Sequence, residues 1–143
     1  MKLAYPVDML PQDDGSFLVS FPDVPEALTD GMTKDEALAD AVDCLIAALG
    51  GYINDRQNLP EPSIPKKGQH TVVVPPLVSA KLALYQAIRE AQITRVALGK
   101  RLGVSEGAIR RLLDLDHRSH IGQVDAALSI LGKRLVVEIQ DAA

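Results

Sequence analysis

The sequence predicts an α+β protein built as two halves, and three observations carry that reading. Residues 3–31 alternate apolar and polar side chains in short runs broken by turn residues, the period of strands, before a single helix. Residues 76–143 repeat Leu, Ile and Val at intervals of three and four, the period of helices. The formal charge also changes sign. The first half carries 5 Lys+Arg against 12 Asp+Glu (5 − 12 = −7) and the second 10 against 7 (10 − 7 = +3), which sum to the −4 of the chain. Opposite charge on two halves points to two partners of opposite charge.

Composition sets further bounds. The chain has 143 residues, 47% of them apolar, enough for one domain or two small ones. Aromatic residues are only 3% and Trp is absent, so aliphatic side chains must fill the core. The single cysteine, Cys44, rules out a disulfide within the chain and argues against a cysteine-based zinc site. Cys44 falls in a helical apolar pattern and reads as a small buried side chain. The start, "MKLAYPVDML", lacks the apolar run of a signal peptide, and no stretch approaches the ~20 apolar residues of a membrane span, so a cytoplasmic protein is expected.

In the first half, Leu3, Tyr5 and Val7 alternate in one strand and Phe17, Val19 and Phe21 in a second. These aromatic side chains are expected to build the sheet's core. "PQDDGS" joins the strands, with Asp-Gly as a hairpin signal. "EALTDG", Glu26 to Gly31, reads as a short third strand. Thr33 and Glu36 form a capping box, and the helix that follows carries Leu38, Val42, Leu45 and Leu49, widened by Ala41 and Ile46. Gly50 and Gly51 weaken its end. Residues 55–70, "DRQNLPEPSIPKKGQH", are proline-rich and read as a loop or linker. "TVVVPPLV" resumes as a strand that Pro75 and Pro76 end, which makes it an edge or terminal strand. The domains are thus expected at 1–75, with the linker 55–70, and at 76–143.

The second half reads as helices. Ser79 is expected to cap one that carries Leu82, Tyr85 and Ile88. "TRVALGKRLGVSEGAIRRLLDL" reads as a helix-turn-helix. Thr94 caps the first helix, and Leu98 and Leu102 face the core. Gly99 allows close crossing, Gly103 takes the left-handed turn conformation, and Val104 plugs the corner. Ser105 caps the second helix, which Ile109 and Leu112 lock in place. That leaves Glu106, Gly107, Arg110 and Arg111 outward near a helix start, the end that reaches base edges. Arg110 or Arg111 suits guanine, whereas Arg95, Lys100 and Arg118 suit phosphates. "IGQVDAALSILG" places Ile121, Val124, Leu128 and Leu131 on one face of a last helix, and "RLVVEI" reads as a terminal strand without a partner in its own half.

Taken in order, these pieces resemble the HicB antitoxins of bacterial type II toxin–antitoxin pairs. "YPV", "DGSFLVSFPDVPEALTDGMTKDEAL" and "LIAAL" look like the N-terminal domain of that family. "PSIP", "VVVPPLVSAKLALYQAI" and the helix-turn-helix look like its longer members. The resemblance covers nearly the whole chain. It implies a partial RNase H-like front domain that neutralises a small basic, mRNA-cleaving HicA-like toxin. It also implies a back domain that represses the pair's own operon, as a dimer or tetramer. The acidic half would then face a basic protein and the basic half DNA.

Candidate toxin contacts are the acidic residues near strand ends: Asp13, Asp14, Asp23 and Glu26. Two other classes of function compete with this one. A free-standing repressor with a ligand-sensing front domain would bind a small molecule and no protein. A nuclease would need several carboxylates converging on metal ions. Asp8, Asp13, Asp14 and Asp23 are present, but the last three fall in turns, where turn formation is the simpler role. His70, His117 and His120 read as loop positions rather than metal ligands. No enzyme activity and no cofactor or metal are expected.

Overall fold

The computed structural model describes residues 3–142. Met1, Lys2 and Ala143, the ends of the predicted domains, lie outside the described residues. The chain divides into two compact units between Ser79 and Ala80.

In the first unit, β1 (Ala4–Pro11) and β2 (Phe17–Ser20) form an antiparallel hairpin, in register from Asp8 opposite Ser20 to Pro11 opposite Phe17. Its turn is held by the Asp14 carboxylate, which accepts from both the N–H and the hydroxyl of Ser16. β3 (Leu28–Gly31) pairs with β2, and β4 (His70–Val73) with the far side of β1. The sheet order is β3-β2-β1-β4, antiparallel throughout. β4 lies at an edge, where the prolines that follow it are tolerated. Alternation fixes the inner face: Tyr5, Val7, Val19 and Val72 are buried together with Phe21, as expected of the aromatic core. Phe17 is only half-buried, with the Lys34 ammonium 5.8 Å from its ring centre.

α1 (Lys34–Asn54) covers the inner face. Thr33 caps it through the Glu36 N–H (3.1 Å), but the Glu36 carboxylate returns to Met32 N–H (3.2 Å), one residue earlier than a capping box predicts. The buried stripe is Ala37, Ala41, Leu45, Leu49 and Ile53, with Leu38, Val42 and Ile46 only half-buried. Alanines at the centre of the contact let the helix axis approach the sheet closely. Helix propensity lost at Gly50 and Gly51 is outweighed by the burial of Leu49 and Ile53 on either side. Cys44 is half-buried, with its thiol 3.5 Å from the Leu28 carbonyl.

The proline-rich stretch has no helix, and its last residue opens β4. It is fastened along the sheet. Tyr5 donates its hydroxyl to the Pro60 carbonyl (2.7 Å), Ser63 donates twice to Asp23 (2.9 Å), and Gln69 donates to Asp8 (2.9 Å). Burial, helped by Asp23, pushes the Tyr5 phenol up to about 12.

α2 (Pro76–Ala91) begins three residues before the predicted cap. Proline suits the first helical position, where its missing N–H has no partner to lose. Ser79 lies inside the first turn and donates to the Val74 carbonyl (3.1 Å). The second unit continues with α3 (Arg95–Leu102), α4 (Glu106–Leu113) and α5 (Ile121–Ile130) around Leu82, Leu84, Leu98, Ile109, Leu113, Val124 and Leu128. Ile121, expected inside, is 40% exposed. The expected terminal strand does not form within the chain. Residues 133–142 carry no regular structure, and Val136, Val137 and Ile139 are exposed. A strand needs a neighbour to satisfy its backbone, and the unit offers none.

Candidate functional site

The site is built from two eight-residue helices and the turn between them. The Thr94 hydroxyl accepts from Ala97 N–H (3.0 Å) and starts α3. Gly103 ends it at φ 72° and ψ 30°, in the left-handed region that glycine adopts without strain. At Gly99 a Cβ would lie 2.8 Å from the Val104 carbonyl oxygen, so only glycine permits the crossing. The Ser105 hydroxyl accepts from Ala108 N–H (3.1 Å) and starts α4. The corner differs from expectation in one respect. The Val104 side chain is 44% exposed, and its backbone, through N–H to the Gly99 carbonyl (2.9 Å), is what fills the corner. Leu102 is correspondingly half-buried.

The predicted reading residues fall on one element or beside it. Glu106, Arg110 and Arg111 are exposed on α4. Arg110 is paired with Glu106 (3.3 Å), one turn away. Ser105 has its hydroxyl committed to the cap. A Cβ at Gly107 would meet nothing closer than 3.7 Å, so nothing within the chain requires glycine there. Lys100 is exposed on α3 and Arg118 in the loop after α4, whereas Arg95 is half-buried. Arg101, not anticipated, donates to the Ile130 carbonyl (3.2 Å) and ties α3 to the end of α5.

The residue most clearly missed is Lys81. Its side chain is fully buried, and its ammonium donates to the carbonyls of Arg111 (3.0 Å), Asp114 (2.6 Å) and His117 (2.8 Å) and to the Ser119 hydroxyl (2.8 Å). It therefore caps the C-terminal end of α4, where the helix dipole favours a cation, and folds the loop that carries Arg118. Burial pushes the lysine's pKa down from its usual value, opposed by the Asp114 carboxylate. A signal was present: Lys81 sits three residues after Val78 and four before Tyr85, on an otherwise apolar stripe. Of the three histidines expected in loops, His70 instead opens β4 opposite Val7, whereas His117 and His120 are loop residues, both engaged. His117 Nδ1 meets the Ser119 hydroxyl (2.9 Å), and His120 Nδ1 accepts from Gly122 N–H (3.2 Å) to cap α5.

In the first unit the four acidic candidates are not equivalent. Asp14 holds the hairpin turn, Asp23 holds Ser63, and Glu26 accepts from the Tyr52 hydroxyl (2.9 Å). Asp13 is exposed with no such bond among the described residues. The Ser16 hydroxyl and N–H hold the Asp14 carboxyl below its usual range. Among the described residues, no group of three His, Cys, Asp or Glu side chains is gathered to hold a metal ion, and no helix is long and apolar enough to cross a membrane.

Comparison with known proteins supplies the class: a bacterial toxin–antitoxin component. The family described as "HicB_like antitoxin of bacterial toxin-antitoxin system" matches residues 4–83. "Antitoxin HicB 1" of Photorhabdus laumondii is 38% identical over 139 residues, 97% of this chain and 88% of that protein. "Antitoxin HicB" of Escherichia coli K12 is 38% identical over 133 residues, 93% of this chain and 96% of the relative. "Antitoxin HicB" of Pseudomonas fluorescens is 33% identical over 132 residues, covering 92% and 90%. The chain belongs to the HicB-like antitoxin family, a family of regulators and not of enzymes.

Proposed function

We propose that the chain neutralises a small basic toxin through its acidic unit and represses its own operon through the helix-turn-helix of the other. The observation that carries this reading is the charge split across the two units of an antitoxin-family chain, −7 over residues 1–75 and +3 over 76–143. A basic partner is steered to the first and the DNA backbone to the second. On α4, Arg110 and Arg111 read base edges while Lys100 and Arg118 hold phosphates. The 134–139 segment, with Val136, Val137 and Ile139 exposed, pairs with its counterpart in a second copy, giving a homo-oligomer that matches paired half-sites. The protein works in the cytoplasm, where both partners are made.

The test is co-purification from the native cell at moderate salt, read by mass spectrometry, with operator binding read in parallel by gel shift. A stoichiometric small basic protein supports the reading. Arg110→Ala is expected to weaken operator binding while leaving that complex intact. Equal loss of both overturns the division of labour. A homo-oligomer with no protein partner favours a ligand-sensing repressor instead.

A further inference from the structure

We propose that a groove on the N-terminal unit binds a phosphate-bearing anion of the nucleotide class. The groove is open to solvent and offers about 440 Å³, within the ~300–1,000 Å³ typical of small-molecule sites. It lies along β1 and β2, beside the start of α1 and the turn that precedes β4. Lys34, Lys66, Lys67 and His70 line it, with Met9 and Phe17 as an apolar wall.

Its charge runs against that of the unit. Residues 1–75 hold only 5 Lys+Arg against 12 Asp+Glu, yet three of those five line this one groove. None of the three forms an ion pair among the described residues. The Lys34 ammonium rests 5.8 Å from the centre of the Phe17 ring, which positions the charge without neutralising it. Asp8, the lining carboxylate, already accepts from the Gln69 amide at 2.9 Å. The three lysines are exposed, and an oxyanion seated in the groove would be attracted by all three charges.

The backbone that carries Lys66 and Lys67 is also held in a hydrogen-bonded turn. Gln69 N–H donates to the Lys66 carbonyl (3.0 Å), Lys66 N–H donates to Gln69 Oε1 (2.9 Å), and Gly68 turns the chain at φ 78°. Gln69 then fastens the turn to β1 through Asp8. Binding an anion there needs little reordering of the backbone. Lysines act as point charges toward phosphate, and clustering suits an anion carrying two or more charges on one group. The Met9 and Phe17 wall offers a surface for the base of a nucleotide. Free nucleotide and nucleic-acid backbone share this chemistry, and the experiment separates them. The site is independent of the antitoxin reading, since it uses neither α4 nor the acidic candidates.

The experiment is a residue-resolved amide NMR titration of the full chain with inorganic triphosphate, with ATP, and with a short single-stranded RNA. The expected result is saturable shifts at Lys34, Lys67, Gly68, Gln69 and His70, with triphosphate binding tighter than about 1 mM at moderate salt. Lys66→Gln with Lys67→Gln is expected to weaken binding by at least about tenfold while the remaining spectrum stays folded. ATP tighter than triphosphate identifies a free nucleotide, and RNA tighter than both identifies a polynucleotide. Shifts confined to residues 80–142, a response that never saturates, or shifts with a poly-glutamate peptide but not with triphosphate overturn the proposal.

Discussion

Lys81→Met removes the ammonium and roughly keeps the side chain's volume, one atom shorter. The parent ammonium has three protons for four oxygens, in a site with no exposure. Each of the three carbonyls also accepts a backbone N–H: Asp114 to Arg111 (3.2 Å), His117 to Asp114 (3.1 Å) and Ser119 to His117 (2.9 Å). The variant thus loses charge-assisted second bonds without orphaning any carbonyl. Such bonds are worth about 1.5–3 kcal/mol each, and three of them sum to roughly 4–9 kcal/mol. Against this stands the several kcal/mol that burying an ammonium costs, which methionine avoids. The expected net loss is about 2–4 kcal/mol, or roughly 10–30 °C in the melting of a unit of this size. Scanning calorimetry of the full chain reads it, and operator binding should fall in step because α4's end and the Arg118 loop lose their anchor. Lys81→Arg should fail as well, since a planar guanidinium does not converge on a compact cage. A methionine variant melting within about 3 °C of the parent refutes the reasoning, because desolvation would then have cancelled the bonds.

Three further outcomes are expected. Ending the chain after Arg134 removes Val136, Val137 and Ile139, all exposed, and is expected to lower the sedimentation mass; an unchanged mass rejects pairing through this segment. Asp40 and Asp43 are exposed on α1, so Asp40→Asn with Asp43→Asn is expected to slow association with the proposed basic partner about three- to tenfold at low salt and hardly at all at high salt. A change confined to the dissociation rate would show contact rather than steering. The Asp14 carboxyl should titrate by carbon NMR below its usual 3.8, and Ser16→Ala should return it upward. Because the folded value is depressed, its contribution to stability is present above the usual carboxylate range and lost as pH falls through the lowered value. A midpoint at or above 3.8 speaks against the turn bonds.

What the sequence made legible was local. Thr94, Gly103 and Ser105 were recognisable because each acts on backbone two to four residues away. The β1–β2 hairpin was readable from alternation and Asp-Gly for the same reason. Lys81 was not, because its four acceptors lie 30 to 38 residues downstream and no short window contains them. The groove lysines were likewise scattered, at 34, 66 and 67, until β4 folded back on β1. The start of α2 was misplaced because serine and proline both mark helix starts, and proline at the first helical position took precedence. The strand expected at 134–139 carries a clear pattern but needs backbone from outside the unit.

If α4 reads DNA as proposed, the Arg110–Glu106 pair sets how it does so. Both side chains are exposed, and an exposed pair one turn apart is worth about 0.3–0.5 kcal/mol. A bidentate arginine–guanine contact discriminates by about 1–3 kcal/mol, so Arg110 should leave Glu106 on the correct sequence. Glu106 then stands free at the start of the helix, where it must either accept from a cytosine amine or face phosphate at a cost. On that account the glutamate opposes wrong sequences more than it aids the right one. Glu106→Gln is expected to raise affinity for random DNA more than for the operator, shrinking the ratio between them, as read by gel shift at two salt concentrations. If operator affinity falls while random-DNA affinity is unchanged, Glu106 serves only to hold Arg110 in place before binding, and the discrimination must arise at Arg111 instead.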